Sequence, residues 1–422
     1  MQIQPASFAF TLLLGFLTAV PYSGIDINLP ALAATGATLG ASPSDVGLTM
    51  SAFMLSLAVA PLVYGPISDR IGRKPVIVFG LALVVMASLA CASVQSLPML
   101  LVCRFIQGAG AASTTMTFAI IRDLFDETTA RAKIANVVIA INVVTVIAPS
   151  AGAALLAIGS WRLIYAIQAA VSGILILAVL LGFAESAKID PGRFVSSAVI
   201  KDYLRVVKHP VSFSFILVGA AGGATVFAYV TGASLFFIGV AGLRPDQYGM
   251  IFSACSAAVM CGAFLDGRLG RRGATPGDVL TAGLGLLFVT ASAMLAMTLA
   301  GWTPPALVAV LLMAVALSFG LSMPNIMNAT MQPLPDIAGV VGAAAGSIQM
   351  TAGAIASSLV AIFFDGRSAL SMTAVMAASS LLALLLYLLR ARPARRSGAH
   401  EPRASAALRA ARPIADVSKS RS

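Results

Sequence analysis

The sequence predicts an all-α polytopic membrane protein with twelve transmembrane helices in two pseudo-symmetric six-helix bundles. Three observations support this prediction. Hydrophobic residues make up 59% of the 422 residues and charged residues only 10%, whereas a typical soluble domain has about 25% charged residues. Apolar stretches of about 20 residues, long enough to span a bilayer, recur along the whole chain. A polar segment at 185–210 separates six of these stretches from six others.

Each apolar stretch is expected to be helical, because a backbone in the hydrocarbon layer must satisfy its own hydrogen bonds. The predicted spans are 8–30, 45–66, 75–94, 99–122, 132–156, 161–183, 212–238, 246–265, 277–299, 303–327, 339–362 and 367–390. They divide the chain into an N-terminal bundle, a cytoplasmic linker, a C-terminal bundle and a basic disordered tail, at 1–184, 185–210, 211–391 and 392–422. Within the linker, 195–207 has the pattern of a short amphipathic helix on the inner leaflet, and a plain solvated linker is an equal alternative.

The net charge of +11 has two interpretations, nucleic-acid binding and membrane topology. With the amino terminus taken as cytoplasmic, 23 of the 27 Lys and Arg residues fall in loops and tail on that side, and 3 fall on the other. Such an excess is typical of cytoplasmic loops in membrane proteins. We therefore expect contact with membrane lipid and not with nucleic acid, with both termini in the cytoplasm.

Short motifs occur at regular topological positions. The segment Arg70-Ile71-Gly72-Arg73 follows the second span, and Arg268-Leu269-Gly270-Arg271 follows the second span of the other half. Parallel repeats of six spans are typical of one group of transporters. Further motifs are Ile25–Ala31, Gly65–Lys74, Leu101–Gly110, Ala119–Phe125, Ala148–Gly152 and Met323–Asn325.

Taken together, these motifs resemble the major facilitator superfamily, and most closely its Bcr/CflA group of proton-coupled drug exporters. The resemblance covers about 10–390 and implies the major facilitator fold, with a central cavity between the two bundles. Two departures are Ala148 and Ala153, where glycine is commoner, although both residues stay small enough for close helix packing. The second copy of the loop motif also has Gly267 where an acid is expected.

Asp26 and Arg104 are the main candidates for proton coupling, because ionisable residues inside spans are costly in lipid and normally face a cavity and a partner. Both lie toward the outer side of their spans, so they could meet at similar depth. A conformational change that alters their separation would then load and release a proton. The alternative is that Asp26 only caps the end of the first span, before Pro30.

Two further motifs are candidates for gating. Structurally, the cations of the first loop anchor helix ends at the lipid surface; by resemblance, this loop is a cytoplasmic latch between the second span and the other half, with Asp69 near a helix N-terminus. The residues concerned are Gly65, Asp69, Arg70, Gly72 and Arg73. Pro149 and Gly152 form an ordinary proline kink or, by resemblance, the antiporter motif that lets the fifth span pack against the other half.

Candidate cavity residues combine unbranched or aromatic side chains, which suit a tolerant pocket, with polar amides inside spans. They are Tyr22, Met50, Met54, Gln107, Met116, Tyr229, Asn325 and Gln349. For each methionine or aromatic residue, the alternative is core packing or contact with lipid.

Motifs for other chemistries are absent from the sequence. No G-x-x-x-x-G-K-[ST], H-E-x-x-H or G-x-S-x-G is present, and His209 and His400 lie in the linker and tail. We therefore expect no enzyme, no metal site and no cofactor, with the proton gradient as energy source. The predicted function is proton-coupled efflux of a small hydrophobic drug, such as an amphenicol, by a protein that is monomeric. A carrier of a natural metabolite and a membrane receptor without transport are the alternatives.

Overall fold

The computed structural model describes residues 4–5, 7–182, 184–186 and 197–393. In these residues every regular element is helical, and the α-helices are numbered in chain order: α1 Phe8–Asp26, α2 Leu32–Leu39, α3 Pro43–Ile71, α4 Arg73–Ser93, α5 Leu97–Ala112, α6 Thr117–Leu124, α7 Glu127–Ile158, α8 Trp161–Gly182, α9 Ser197–Lys208, α10 Pro210–Ser234, α11 Pro245–Arg271, α12 Pro276–Leu299, α13 Pro305–Met331, α14 Ala338–Ile362 and α15 Leu370–Leu386. Short 3-10 helices lie at Leu29–Ala31, Ser113–Met116 and Pro335–Ile337, and π-helical turns at Leu235–Val240 and Tyr387–Ala391.

Eleven helical stretches of the described residues are long and apolar enough to cross a membrane, and each coincides with a predicted span. The remaining predicted span, 99–122, consists of α5, a 3-10 turn and α6. The turn follows from a run of hydroxyl side chains. Thr114, Thr115 and Thr117 each donate a hydrogen bond to the backbone carbonyl three residues earlier, which competes with regular helical bonding.

The first helix ends earlier than the predicted span. Helix α1 stops at Asp26, where the predicted span runs to residue 30, and a 3-10 turn with Pro30 at its second position follows. Proline cannot donate the backbone hydrogen bond that would continue α1. The chain then forms α2, which packs against α3. Asp26 is therefore the last residue of its helix.

The two halves meet through α3 with α14 and through α7 with α11. We call the end that carries 65–74 and 268–272 the basic end, and the end that carries 27–42 and 363–369 the far end. In the half of the molecule nearer the far end, Ser234 Oγ donates to the Leu29 carbonyl at 2.7 Å. Ser253 Oγ donates to the Val146 carbonyl at 2.6 Å and lies 2.9 Å from Ser150 Oγ. These hydrogen bonds hold the halves together there.

The predicted amphipathic segment 195–207 corresponds to α9, which runs from Ser197 to Lys208. Val206 is fully buried and packs in a cluster with Ile216 of α10 and Val341 of α14. Arg205 forms an ion pair of 2.5 Å with Asp336. This segment is therefore helical and attached to α10 and α14. The predicted tail, apart from residues 392 and 393, and residues 187–196 of the predicted linker lie outside the described residues.

Candidate functional site: a buried arginine and a buried aspartate

Arg104 is completely buried on α5, where that helix packs against α3. Its guanidinium carbon lies 4.3 Å from the centre of the Phe53 ring, a position in which the ring face attracts a cation. Nη1 donates to the Gly24 carbonyl at 3.0 Å and to Gln107 Oε1 at 2.7 Å, and Nη2 lies 3.5 Å from Met50 Sδ. Neutral groups therefore surround this positive charge.

The amide of Gln107 extends this network away from Arg104. Its Nε2 donates to Ser88 Oγ at 2.7 Å and to Gln168 Oε1 at 2.8 Å. Because Gln107 accepts from Arg104 and donates to α4 and α8, it holds the guanidinium in place relative to three helices. Polar amides and hydroxyls of this kind connect helices in a membrane.

Asp26 is also buried, with 6% of its surface exposed. Gly24, the carbonyl partner of Arg104, lies two residues before it, so the carboxylate and the guanidinium occupy neighbouring levels of the bundle. They do not form an ion pair, and none to Arg104 is present in the part of the chain that the structure describes. The direct pairing considered from the sequence is thus absent in this conformation.

Three tyrosines lie within electrostatic range of Asp26: Tyr22, one turn earlier on α1, Tyr229 of α10 and Tyr248 of α11. Tyr248 is fully buried, and its hydroxyl has no hydrogen-bond partner among the described residues. Since two of the three tyrosines belong to the other half, Asp26 lies at the boundary between the halves.

Asp26 does not act as a helix cap here. At the end of α1 the side-chain amide of Asn28 donates to the Gly24 carbonyl at 2.9 Å, and the backbone N–H of Ile27 donates to Ser23. A helix C-terminus needs donors, and its dipole disfavours a negative charge. The carboxylate supplies no donor when ionised, so Asn28 is the side chain that caps this end.

At the basic end, Arg73 is the centre of the loop motif. It forms ion pairs with Asp69 at 2.7 Å and with Asp123 at 3.3 Å, and it also contacts Ser68 Oγ. These partners all belong to the first half, so this loop makes a cluster within one half. The sequence suggested that Asp69 lies near a helix N-terminus, and its ion pair joins it to Arg73, the first residue of α4.

The carboxylate of Glu185 caps the N-terminus of α4. Its carboxylate accepts from the backbone N–H groups of Arg73 at 2.8 Å and Lys74 at 3.0 Å. Gly72 makes this possible, because its φ of +103° is rare for other residues and a side chain there would collide with Glu185. Arg70 lies in the last turn of α3, just before this glycine.

Pro149 and Gly152 of α7 have different neighbours. Pro149 lies beside Ser150, which contacts Ser253 of the other half. A Cβ atom at Gly152 would collide with the backbone carbonyl of Ile27, so this glycine packs α7 against the end of α1 in its own half. The sequence suggested that both residues serve packing against the other half, and for Gly152 the observed contact is different.

The eight candidate cavity residues have different neighbours. Four lie around the buried charges: Tyr22 and Tyr229 near Asp26, and Met50 and Gln107 near Arg104. The other four have the following neighbours: Met54 lies beside Gly353, Gln349 beside Gly223 and Met116 against Ser68, and Asn325 is bonded to Asp266 at 2.6 Å. Asn325 and Asp266 both belong to the second half, and the side-chain amide of Asn325 donates its hydrogen bond to the Asp266 carboxylate.

Sequence reasoning missed Gln168, Glu185 and Tyr248. Glu185 follows the apolar run of α8, and Gln168 interrupts that run, so both carried a weak signal as polar residues next to or inside a span. Tyr248 carried none, because its importance comes only from its position near Asp26.

Comparison with known proteins identifies the class of molecule. A model of the Major Facilitator Superfamily matches residues 11–357. The chain belongs to this superfamily. Solved major facilitator structures confirm the predicted fold. One of them, an inward-facing, unoccupied bacterial homolog of the human lysosomal transporter Spinster, superposes with a TM-score of 0.74 at 17% identity, covering 91% of this chain and 96% of that one.

Curated relatives of this major facilitator chain include drug-resistance proteins. A bicyclomycin resistance protein homolog of Haemophilus influenzae is 26% identical over 86% of this chain and 91% of its own length. Multidrug resistance protein D of Escherichia coli is 27% identical over 83% of this chain and 88% of its own. The chain is therefore a multi-pass membrane transporter related to drug-resistance efflux proteins.

Proposed function

We propose that this transporter exports small hydrophobic or amphipathic drugs, such as an amphenicol, in exchange for protons by alternating access. The observation that supports coupling most directly is the placement of Asp26. It is buried at the boundary between the halves, near Tyr229 and Tyr248 of the second half, and at the level of an arginine without an acidic partner. The drug-resistance relatives support the substrate class.

The proposed cycle uses a change in the neighbours of Asp26. Rocking of the halves would break the hydrogen bonds from Ser234 to Leu29 and from Ser253 to Val146, and would move the tyrosines of α10 and α11 away from α1. The carboxylate would then exchange a phenolic environment for water and for the nearby charge of Arg104. A carboxylate whose surroundings differ between two states binds a proton in one and releases it in the other.

The experiment is drug transport driven by a pH gradient in proteoliposomes. Asp26→Asn removes the titratable group with little change in shape, so gradient-driven transport should disappear while binding of the drug remains. Asp246→Asn is the matched control, because it neutralises an acid whose side chain is 52% exposed. Wild-type coupled transport by the Asp26 variant would contradict the proposed coupling.

Substrate identity requires a separate test. Expression in an efflux-deficient bacterial strain, followed by resistance profiling against a panel that includes amphenicols and bicyclomycin, should raise resistance to one or more compounds. The Asp26→Asn variant, expressed at the same level, should not. A flat profile combined with proton-coupled uptake of a metabolite would contradict drug export and leave proton coupling intact.

We also propose that both termini lie in the cytoplasm and that the protein works as a monomer in the bacterial inner membrane. The excess of Lys and Arg in the loops of the basic end supports this orientation. A green fluorescent protein fused to the carboxyl terminus should fluoresce, and alkaline phosphatase fused there should be inactive. The opposite pair of results would reverse the orientation.

A further inference from the structure

A crevice of about 200 Å³ lies among the helices of the first half, next to the Arg104 network, and Asp26 is not among the residues that line it. Phe16 of α1 and Ile167 and Val171 of α8 line it, and these side chains are 38–55% exposed. The opening therefore lies between α1 and α8. Because both helices are membrane-spanning, the opening faces the hydrocarbon layer and not water. A molecule would reach the crevice by first dissolving in the bilayer.

Two side-chain amides lie on the inner wall of the crevice. Gln107 and Gln168 both line it, and their amides are joined by the 2.8 Å hydrogen bond from Gln107 Nε2 to Gln168 Oε1. The Nε2 of Gln168 is buried and has no acceptor in the described part of the chain. A buried amide donor without a partner is unfavourable, and a rotation of this amide toward the crevice would let an acceptor brought by a ligand satisfy it.

We propose that this crevice is a membrane-accessible binding site for a neutral aromatic molecule that carries one carbonyl oxygen. An engineered cavity of about 150 Å³ with apolar walls binds benzene, so this crevice has room for a substituted benzene ring. The ring lies against the apolar side chains, and its carbonyl accepts from Gln168. Because Gln168 accepts from Gln107, which holds Arg104, the ligand is linked to the buried cation through two side chains.

The test is ¹⁹F NMR of two probes added to the purified full-length protein in lipid nanodiscs. The probes are 4-fluoroacetophenone and 4-fluoro-α-methylstyrene, which have the same shape but differ in a C=O against a C=CH₂ group. Empty nanodiscs give the contribution of partition into lipid. The wild-type protein should show an additional saturable line broadening, with tighter binding of the ketone. Absence of a saturable component would overturn the proposal.

Variants locate the site. Ser172→Leu fills the crevice from α8 and should abolish saturable binding, whereas Ala170→Leu adds an apolar side chain on the exposed face of the same helix and should leave it unchanged. Ser23→Leu fills the opposite wall and replaces the first variant if that one does not fold. Equal binding by the filled and control variants would place the site elsewhere and reject the crevice.

Gln168→Leu tests the hydrogen bond. Affinity for 4-fluoroacetophenone should fall about tenfold, while affinity for 4-fluoro-α-methylstyrene should change less than about twofold. An equal loss for both probes would reject the proposed role of the amide. These measurements report binding without a proton gradient, so their outcome does not depend on the proposed drug export. A negative result for the crevice would not contradict drug export, and a negative result for drug export would not contradict the crevice.

Discussion

Arg104 and Arg73 are both largely buried, but their surroundings are opposite. Arg73 at the basic end is held by the carboxylates of Asp69 and Asp123, with its side chain 13% exposed. Arg104 inside the bundle is completely buried and is held by a carbonyl, an amide and an aromatic ring. Fixed acids neutralise Arg73, whereas Arg104 has no acidic partner among the described residues.

This difference suggests a division of labour. A cation that already has two carboxylates has little to gain from a further anion, so the Arg73 cluster is suited to fixing helix ends. A cation without a counter-charge in a medium of low dielectric interacts strongly with any anion that approaches it. Arg104 is therefore the arginine that can respond to a change at Asp26.

The largest expected effect comes from Arg104→Lys, which keeps the charge but loses the planar fork that reaches Gly24 and Gln107 together. Each hydrogen bond to a charged group is worth about 1.5–3 kcal/mol, so coupled transport should fall about ten- to a hundredfold. Transport rates in proteoliposomes measure this. Arg244→Lys, with an arginine side chain that is 73% exposed, is the control and should transport normally. Unchanged transport rates in the Arg104 variant would contradict the proposed difference in role between Arg104 and Arg73.

The second prediction concerns the backbone of the loop motif. Gly72→Ala forces an alanine into a conformation that costs about 1–3 kcal/mol and makes it collide with Glu185, so the protein should unfold at a lower temperature. Gly65→Ala in the same motif has open space around it and should unfold like the wild type. Thermal unfolding of both variants in detergent checks this, and equal midpoints would show that the turn does not limit stability.

A smaller effect is expected when the Arg73 cluster loses one partner. The Asp123 carboxylate is 28% exposed, so the pair should contribute about 1 kcal/mol or less to stability, and less at high salt. A double-mutant cycle of Arg73→Gln and Asp123→Asn isolates this coupling at low and high ionic strength. A coupling above about 3 kcal/mol would indicate a desolvated pair comparable with the interior of the bundle.

The smallest effect is expected for the ion pair between Arg205 of α9 and Asp336. Both side chains are about half exposed, at 52% and 54%. Replacing Arg205 by Gln should shift stability by about 0.2–1 kcal/mol, because solvent screens the pair. Replacing the other member of the pair, Asp336→Asn, should give a similar loss of stability in the same unfolding assay. A much larger loss would mean that α9 is held mainly by this pair and not by the burial of Val206.

Much of the fold could be predicted, since it depends on local properties. Spans need only length and hydrophobicity, and eleven of the twelve predicted spans are membrane-length stretches among the described residues. The break in the fourth span could also be anticipated in principle from Thr114, Thr115 and Thr117, whose hydroxyls compete for backbone carbonyls. The end of α1 at Asp26 was harder to predict, because Pro30 limits the length of the helix without specifying its last residue.

The candidate site was predictable only as a set of residues. Asp26 and Arg104 stand out because charge is rare inside spans, and this needs no structure. Their partners depend on which helix faces which, and this is decided by packing between residues far apart in the chain. Asp26 is near Tyr248, more than two hundred positions away, and no pattern within either segment indicates it.

The sequence alone therefore determined the number and position of the apolar helices, the side with most positive charge, and the ionisable residues that lie inside spans. These are properties of single segments in contact with a bilayer. The tertiary structure decided that Arg104 bonds to Gly24 and Gln107 and not to Asp26, that Glu185 caps α4, and that Gly152 packs against Ile27. Such choices depend on helix rotation and close packing, which arise only when all the helices are assembled.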